Sequence, residues 1–211
     1  MDLYFSPLAC SMATRIAFYE AGADAIYHQV DLKAKRLAGG ADFRTINPMG
    51  QVPVLRTDTG ELVTENPVVL QVVADHYPAA ELIAQRGIAR TRVLQWLNFV
   101  TAELHKLVFN LLLDPTSNDG AKAYARAKAQ QRFEYLDAYL DTREFLVERF
   151  SVADCYLVTV LNWSRFVGLE LNAWPAVQAY YQRTSARPSV ARALADEMAL
   201  YQAAQARRGA A

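Results

Sequence analysis

The most specific stretch of the sequence reads Asn47-Pro48-Met49-Gly50-Gln51-Val52-Pro53-Val54-Leu55. Its second half has the apolar character of a β-strand, yet Pro53 stands at the start, where proline cannot donate to a neighbouring strand. One physical solution is a cis bond between Val52 and Pro53. That bond turns the Val52 backbone outward and lets its N–H and C=O pair with an extended ligand. The alternative is an ordinary proline on an edge strand.

The segments around this run alternate between strand and helix patterns. Asp58-Thr59-Gly60 is a hairpin signal between two apolar stretches, and Asn66-Pro67 is a favourable helix start. The patterns predict strand 3–5, helix 11–21, strand 26–31, a helical or irregular stretch 33–46, strands 52–55 and 62–64, and helix 66–77. Residues 1–80 are therefore expected to form an α/β domain of order β-α-β-α-β-β-α.

The sequence after residue 87 has helical periodicity throughout. An apolar stripe spaced for one helix face includes Trp96, Leu104 and Leu107. Residues 155–161 are apolar on all sides, so their helix is expected at the centre of a bundle. Ser151 and Asp154 form a box-like N-cap for that helix, which explains Asp154 without a catalytic role. The predicted helices cover 88–113, 121–141, 151–167, 174–186 and 189–206, so residues 88–206 are expected to form an all-helical bundle domain.

The composition excludes several classes of protein. Of the 211 residues, 53% are hydrophobic, which provides for a packed core and excludes a disordered chain. Basic and acidic residues number 22 each, so there is no bulk positive charge for binding nucleic acid. No apolar run approaches the roughly 18 residues of a membrane span, and the first residues lack a signal peptide pattern. We therefore expect a cytoplasmic protein without nucleic-acid or membrane partners. The alanine-rich end, 203–211, is expected to fray.

Cys10 is the first candidate for chemistry. It stands between the first predicted strand and the first predicted helix, where unpaired amide donors and the helix dipole favour a thiolate. The other cysteine, Cys155, is remote in sequence, and no C-x-x-C pair is present. This pattern excludes a disulfide framework, a cysteine-rich zinc site and a dithiol redox centre. The alternative is that Cys10 is a buried, inert thiol.

Further motifs accompany the central run in a fixed order. They are Cys10-Ser11, Thr64-Glu65-Asn66, Trp96-Leu97-Asn98-Phe99, Glu103-Leu104-His105-Lys106 and Phe150-Ser151-Val152-Ala153-Asp154. Together with the run, they resemble a glutathione S-transferase, closest to the bacterial beta class, over essentially the whole chain. The resemblance implies a thioredoxin-like domain that holds glutathione, a helical domain that lines an electrophile pocket, and a homodimer. It implies no metal.

The resemblance also assigns expected roles to individual residues. Cys10 would face the glutathione sulfur, with Ser11 and His105 as further catalytic candidates. The expected glutathione-binding residues are Lys35 for a carboxylate, Val52 for the peptide backbone with cis Pro53 in support, Gln51, Glu65 and Asn66 for the γ-glutamyl end, and Asn98, Glu103 and Lys106. The expected electrophile pocket contains Phe109, Trp163 and Phe166, and core packing is the alternative interpretation for Trp163. Helical spacing further predicts that Asn98, His105 and Lys106 share one polar face, completed by a second subunit.

One residue departs from the family pattern. The family usually has serine after the glutamate, whereas this chain has Asn66, which keeps the helix cap but is bulkier. The first functional hypothesis is a detoxifying transferase that conjugates glutathione, its co-substrate, to hydrophobic electrophiles, with Cys10 able to form a mixed disulfide with glutathione. The alternatives are a glutathione-dependent thiol-disulfide reductase with little conjugating activity, and a non-catalytic binding protein of the same fold.

Overall fold

The computed structural model describes residues 1–209 and divides them into two compact units. The first unit contains residues 1–81 together with 188–209, and the second contains residues 82–187. The last helix therefore packs with the first unit, whereas the sequence-based boundaries at 1–80 and 88–206 place it with the second. Those boundaries stay a prediction. Each unit is described below by itself.

The first unit is built on a five-stranded mixed sheet. The strands are β1 (Asp2–Phe5), β2 (Ile26–Asp31), β3 (Arg36–Leu37), β4 (Val54–Arg56) and β5 (Leu62–Val63), in the order β3-β2-β1-β4-β5. β1 is parallel to β2 and antiparallel to β4, and β5 continues the sheet antiparallel to β4. This arrangement confirms the expected thioredoxin-like sheet and places the start of β4 beside the end of β1.

Three helices complete the first unit. They are α1 (Met12–Glu20), α2 (Asn66–His76) and α9 (Pro188–Gly209), and α1 packs against both of the others. The strands alternate their side chains between two sides: Leu3 and Phe5 are buried, and Tyr4 joins a separate cluster with Phe43 and Val54. Helix α9 continues to Gly209, beyond the expected start of fraying, and Ala210 and Ala211 lie outside the described residues.

The stretch 33–46 takes the irregular of the two predicted forms. It contains the short strand β3 and a single 3₁₀ turn, Phe43–Thr45, in place of a second α-helix. Asp42 caps that turn by accepting from the Arg44 N–H at 2.9 Å. The polar, glycine-containing composition lacks an apolar stripe that could hold a helix against the sheet. The segment instead buries one large side chain, Phe43, against the strands.

Among the residues described, all the regular secondary structure of the second unit is helical. Its helices are α3 (Gly87–Phe99), a π-helical segment Val100–Phe109, α4 (Asn110–Leu113), α5 (Asp119–Leu140), α6 (Val152–Leu161), α7 (Ser164–Val167) and α8 (Pro175–Ser185). Every residue of α6 is buried, which confirms the expected central helix. The predicted capping box is also present at its start. No helix within residues 1–209 is both long and apolar enough to cross a membrane.

The π-helical segment changes which side chains of its helix face the core. The apolar stripe is buried as expected at Trp96 and Leu104. Beyond that point the fully buried residues are Val108 and Phe109, whereas Leu107 is only partly buried. A π-helix has wider turns than an α-helix, so α-helical spacing no longer predicts which residues share a face. The candidate site residues of this segment, Glu103, His105 and Lys106, therefore also lie on faces that α-helical spacing does not predict.

Candidate active site

The thiol of Cys10 lies against the loop that precedes β4. Its Sγ donates a hydrogen bond to the Val52 carbonyl oxygen at 3.2 Å, and the residue is half-buried. The Cys10 carbonyl accepts from the Asn66 side-chain amide at 3.1 Å and from the Ala13 N–H at 3.1 Å. The two sequence motifs of the first unit, the cysteine at the helix start and the Val-Pro run, therefore meet at a hydrogen-bonded contact.

The loop around Val52 takes the first of the two forms that its sequence leaves open. The Val52–Pro53 peptide bond is cis. Asn47 closes the loop, because its Nδ2 donates to the Gln51 carbonyl at 2.8 Å and its Oδ1 accepts from the Met49 N–H at 3.1 Å. Asn47 is buried and was not among the expected site residues, although an asparagine before proline is a recognised turn signal.

Lys35 lies beside the same loop. Its Nζ donates to the Gly50 carbonyl at 2.9 Å, and the side chain is half-buried. Gly50 has a φ of +59°, and a Cβ placed there would lie 2.9 Å from Lys35 Cδ. Both the backbone conformation and the approach of the lysine side chain thus favour glycine at position 50. A lysine amine next to exposed Gln51 is in a suitable place to meet an anionic ligand.

Glu65 and Asn66 begin helix α2 but differ in exposure. Glu65 is exposed and has a φ of 65°, an unusual conformation for a residue with a side chain. Asn66 is 4% exposed, and its Oδ1 accepts from the Thr14 hydroxyl at 3.3 Å while its Nδ2 binds the Cys10 carbonyl. This position argues against the expected role of the Asn66 side chain in binding a carboxylate, because both ends of its amide hold the cysteine segment. Thr14 was not among the expected residues.

Ser11 lies beneath the cysteine loop, fully buried. Its hydroxyl donates to the Ser6 carbonyl at 3.3 Å and accepts from the Ser6 N–H at 3.2 Å. The expectation that Ser11 is a catalytic residue therefore needs correction, since its side chain is buried and its one proton is already donated to Ser6.

His105 is the most perturbed of the candidate residues in the second unit. Its Nδ1 lies 2.6 Å from the Tyr156 hydroxyl oxygen, and its ring meets the edge of Trp163 with centroids 4.9 Å apart. Burial, with a smaller contribution from Lys106, lowers the pKa of His105 to about 3. The imidazole is therefore neutral at physiological pH and serves as a hydrogen-bonding group rather than a cation.

The three polar residues near His105 do not share its surroundings. Asn98 and Lys106 are exposed, and Asn98 donates to the Leu94 carbonyl at 2.8 Å. Glu103 forms an ion pair with Arg132, with Oε2 and Nη2 2.6 Å apart. The predicted common face of Asn98, His105 and Lys106 is wrong, because the π-helical segment turns His105 toward α6 while the other two side chains face outward.

The expected electrophile-pocket residues divide between core and surface. Phe109 is fully buried and Trp163 is 5% exposed, with their ring centroids 5.8 Å apart. Phe166 is 44% exposed and lies under the Arg165 guanidinium. Trp163 thus takes the packing position that was its alternative, Phe109 is also a core residue in place of its expected position in the pocket, and Phe166 offers the accessible aromatic surface.

The low pKa of His105 predicts its titration behaviour. Between about pH 5 and 8, the ring signals of His105 should stay unchanged in an NMR titration. The unfolded chain protonates His105 near pH 6.5, whereas the folded chain does so only near pH 3. The free energy of unfolding should therefore decrease as the pH falls from 6.5 toward 3, because protons then bind preferentially to the unfolded state. The variant His105→Gln assigns the signal, and a His105 midpoint near 6.5 would contradict the burial argument.

Comparison with known proteins identifies the family of this chain. The family model of the glutathione S-transferase N-terminal domain matches residues 9–76, and that of the C-terminal domain matches residues 99–188. Glutathione S-transferase GstA of Escherichia coli O157:H7 is 38% identical over 199 residues, covering 93% of this chain and 98% of that protein.

Two solved structures extend the similarity to three dimensions. A ternary complex of BphK, a bacterial GST, has a TM-score of 0.90 and 41% identity, covering 93% of this chain and 99% of that one. A sphingomonad glutathione S-transferase complexed with glutathione has a TM-score of 0.89 and 42% identity, covering 93% of this chain and 98% of that one. With its order of motifs, its thioredoxin-like sheet and these full-length matches, the chain belongs to the glutathione S-transferase family.

Proposed function

We propose that this protein conjugates glutathione to small hydrophobic electrophiles, with glutathione bound as an extended peptide along the Val52 loop. The observation that carries the proposal is the contact between the Cys10 thiol and the Val52 carbonyl, beside a cis proline. A ligand that pairs with the Val52 backbone would bring its own cysteinyl sulfur close to Cys10. The sphingomonad relative bound to glutathione supports the same ligand.

The charged ends of glutathione fit the polar residues at the rim of this loop. Glutathione carries a carboxylate and an α-amino group at its γ-glutamyl end and a second carboxylate at its glycyl end. Lys35 Nζ supplies a cation for one carboxylate, and exposed Glu65 supplies an anion for the amino group. Gln51 offers both donors and acceptors at the same rim. In this scheme Asn66 does not contact glutathione; its amide holds the segment that contains Cys10 in place.

A second reaction follows from the chemistry of Cys10. Its thiolate attacks one sulfur of oxidised glutathione, the glutathione S–S bond breaks, and a Cys10–glutathione disulfide forms while one glutathione thiolate leaves. A further glutathione thiolate then attacks the bound glutathione sulfur and regenerates Cys10. Cys155 is fully buried, so it is not placed to resolve the mixed disulfide. Thiol-disulfide exchange is thus the second candidate function, carried by the accessible position of Cys10.

We also propose a homodimer, in the cytoplasm, that takes part in detoxification. Among its described residues the first unit exposes four large apolar side chains, which a second copy would cover: Ile26 at 63%, Met49 at 77%, Leu62 at 43% and Val68 at 46%. Cys10 and Cys155 are both thiols and not a disulfide, which fits a reducing compartment. Light scattering at micromolar concentration tests the dimer, and a monomeric mass would contradict it.

Glutathione binding should depend on Glu65. The variant Glu65→Gln keeps the side-chain shape but removes the charge, so we expect its affinity for glutathione to fall about tenfold in calorimetry. Glu61→Gln is the matched control, because Glu61 is also exposed but belongs to the hairpin between β4 and β5. Absence of glutathione binding by the native protein would contradict the proposed function. Equal affinities in all three proteins would contradict the role of Glu65.

A further inference from the structure

A buried carboxylate from the last helix reaches the loop that leads to Cys10. Glu197 of α9 has no exposed surface, and its Oε2 accepts from the Leu8 N–H at 2.7 Å. Its other oxygen, Oε1, accepts from Arg15 Nε at 2.9 Å. All three residues belong to the first unit. One side chain therefore ties the approach to Cys10 and the helix that follows Cys10 to a third element.

The Leu8 amide lies at a constrained point of the chain. Leu8 has a φ of 60°, in the left-handed region that non-glycine residues rarely adopt, and its side chain is buried. The next residue, Ala9, donates its N–H to the Ser6 carbonyl at 3.0 Å, which closes the turn immediately before Cys10. A backbone in this conformation persists only where its surroundings fix it, and the bond to Glu197 is one such constraint.

The Arg15 side chain has a fixed orientation. Its guanidinium lies over the rings of Phe5 and Tyr27, at 4.5 and 3.9 Å from their centroids, and its Nη1 donates to the Tyr19 hydroxyl at 3.2 Å. Aromatic faces and a hydrogen bond thus fix the orientation of the cation. Because Arg15 cannot turn freely, the Glu197 carboxylate that it binds is also fixed in direction.

We propose that Glu197 is a positioning residue for Cys10: its carboxylate fixes the left-handed turn at Leu8 and so holds the thiol on the Val52 carbonyl. The proposal rests on the role of Cys10 in the proposed function. A carboxylate suits this position because it offers two acceptor oxygens to two donors, the Leu8 N–H and Arg15 Nε. An amide of the same shape offers one acceptor oxygen and turns an NH₂ group toward one of those donors.

The test is the reactivity of Cys10 in Glu197→Gln. Loss of the Leu8 bond should release the turn, break the contact between Cys10 Sγ and the Val52 carbonyl, and expose the thiol. We expect iodoacetamide to alkylate Cys10 about fivefold faster at about pH 8, the change expected for loss of one buried hydrogen bond. Intact mass gives the rate and peptide mapping gives the site. The control is Glu20→Gln, because Glu20 bonds to Ser189 and links the same two helices away from the cysteine loop.

The pH profile separates positioning from general destabilisation. Burial raises the pKa of Glu197 to about 7, opposed by Arg15 and by the Leu8 N–H. The other titratable groups around it are Tyr19 of α1, Tyr27 of β2 and Asp196 of its own helix. A protonated Glu197, like glutamine, has lost one acceptor, so the ratio of the variant and native alkylation rates should approach one as the pH falls below about 7.

Several results of these experiments would overturn the role proposed for Glu197. Equal alkylation rates for folded Glu197→Gln, Glu20→Gln and native protein would overturn the proposal, as would equal acceleration in both variants. If Glu197→Gln does not fold, hydrogen exchange of the Leu8 amide in the native protein decides. We expect protection of about a hundredfold or more over an unstructured peptide, and an unprotected amide would overturn the proposal. Because no measurement uses glutathione, failure of glutathione binding in calorimetry would bear on the proposed function alone.

Discussion

Replacing Cys10 by alanine should abolish the covalent adduct that native protein forms with oxidised glutathione. In the native protein we expect intact mass to show a single glutathione per chain, because Cys10 is half-buried and Cys155 is fully buried. The adduct should persist until reduced glutathione is added, because attack by a second thiolate is needed to release it. Cys10→Ala should show no adduct and no glutathione-dependent disulfide reduction, and Cys155→Ala should retain both as the matched control.

Cys10→Ala also distinguishes the two candidate reactions, conjugation and thiol-disulfide exchange. Conjugation of chlorodinitrobenzene requires the glutathione thiolate and a site that stabilises it, whereas disulfide exchange requires the protein thiol itself. We therefore expect Cys10→Ala to keep part of the conjugating activity. Complete loss of conjugation with unchanged glutathione affinity would make Cys10 essential to both reactions. An adduct that survives in Cys10→Ala would contradict the assignment of Cys10 as the reactive thiol.

The sequence predicts most of the fold because its decisive signals are local. The cap of α6 and the full burial of α6 each follow from adjacent residues whose options are few. The cis bond at Val52–Pro53 is one of the two outcomes that its sequence leaves open. The irregular form of 33–46 was one of two predicted outcomes, since a polar segment without an apolar stripe leaves helix and loop close in free energy. The π-helical segment was not predicted, because its sequence is compatible with an α-helix.

The candidate site was harder to predict because its hydrogen bonds join distant residues. The order of the motifs predicts that Cys10 meets the Val52 loop, but the hydrogen bonds of the Asn66 amide join it to Thr14 and Cys10, more than 50 residues earlier in the chain. Glu197 lies 187 residues after Cys10 in a helix whose sequence shows no site motif. A charged residue at a buried helix position is a weak signal on its own, and its partner at Arg15 becomes evident only once α1 and α9 pack together.

We expect replacement of Asp154 to lower the stability of the fold strongly and to leave glutathione affinity unchanged. Its buried carboxylate accepts four hydrogen bonds. The donors are the Leu146 N–H at 2.9 Å, the Ser151 N–H at 2.9 Å, the Ser151 hydroxyl at 2.8 Å and the Tyr180 hydroxyl at 2.8 Å. All of them lie in the second unit, and none belongs to the proposed glutathione site. The carboxylate thus ties the start of α6 to the preceding loop and to α8.

Asp154→Ala would leave these four donors without their acceptor inside the protein. Removal of one partner from a buried charged network costs about 3–5 kcal/mol, which in a chain of this length lowers Tm by about 10 °C. Ser151→Ala removes one donor and should cost about 1 kcal/mol. Calorimetric melting and glutathione titration on both variants measure the two quantities separately. An unchanged Tm with lost turnover in Asp154→Ala would show that the carboxylate serves catalysis, whereas a lower Tm with unchanged glutathione affinity is the result that its hydrogen bonds require.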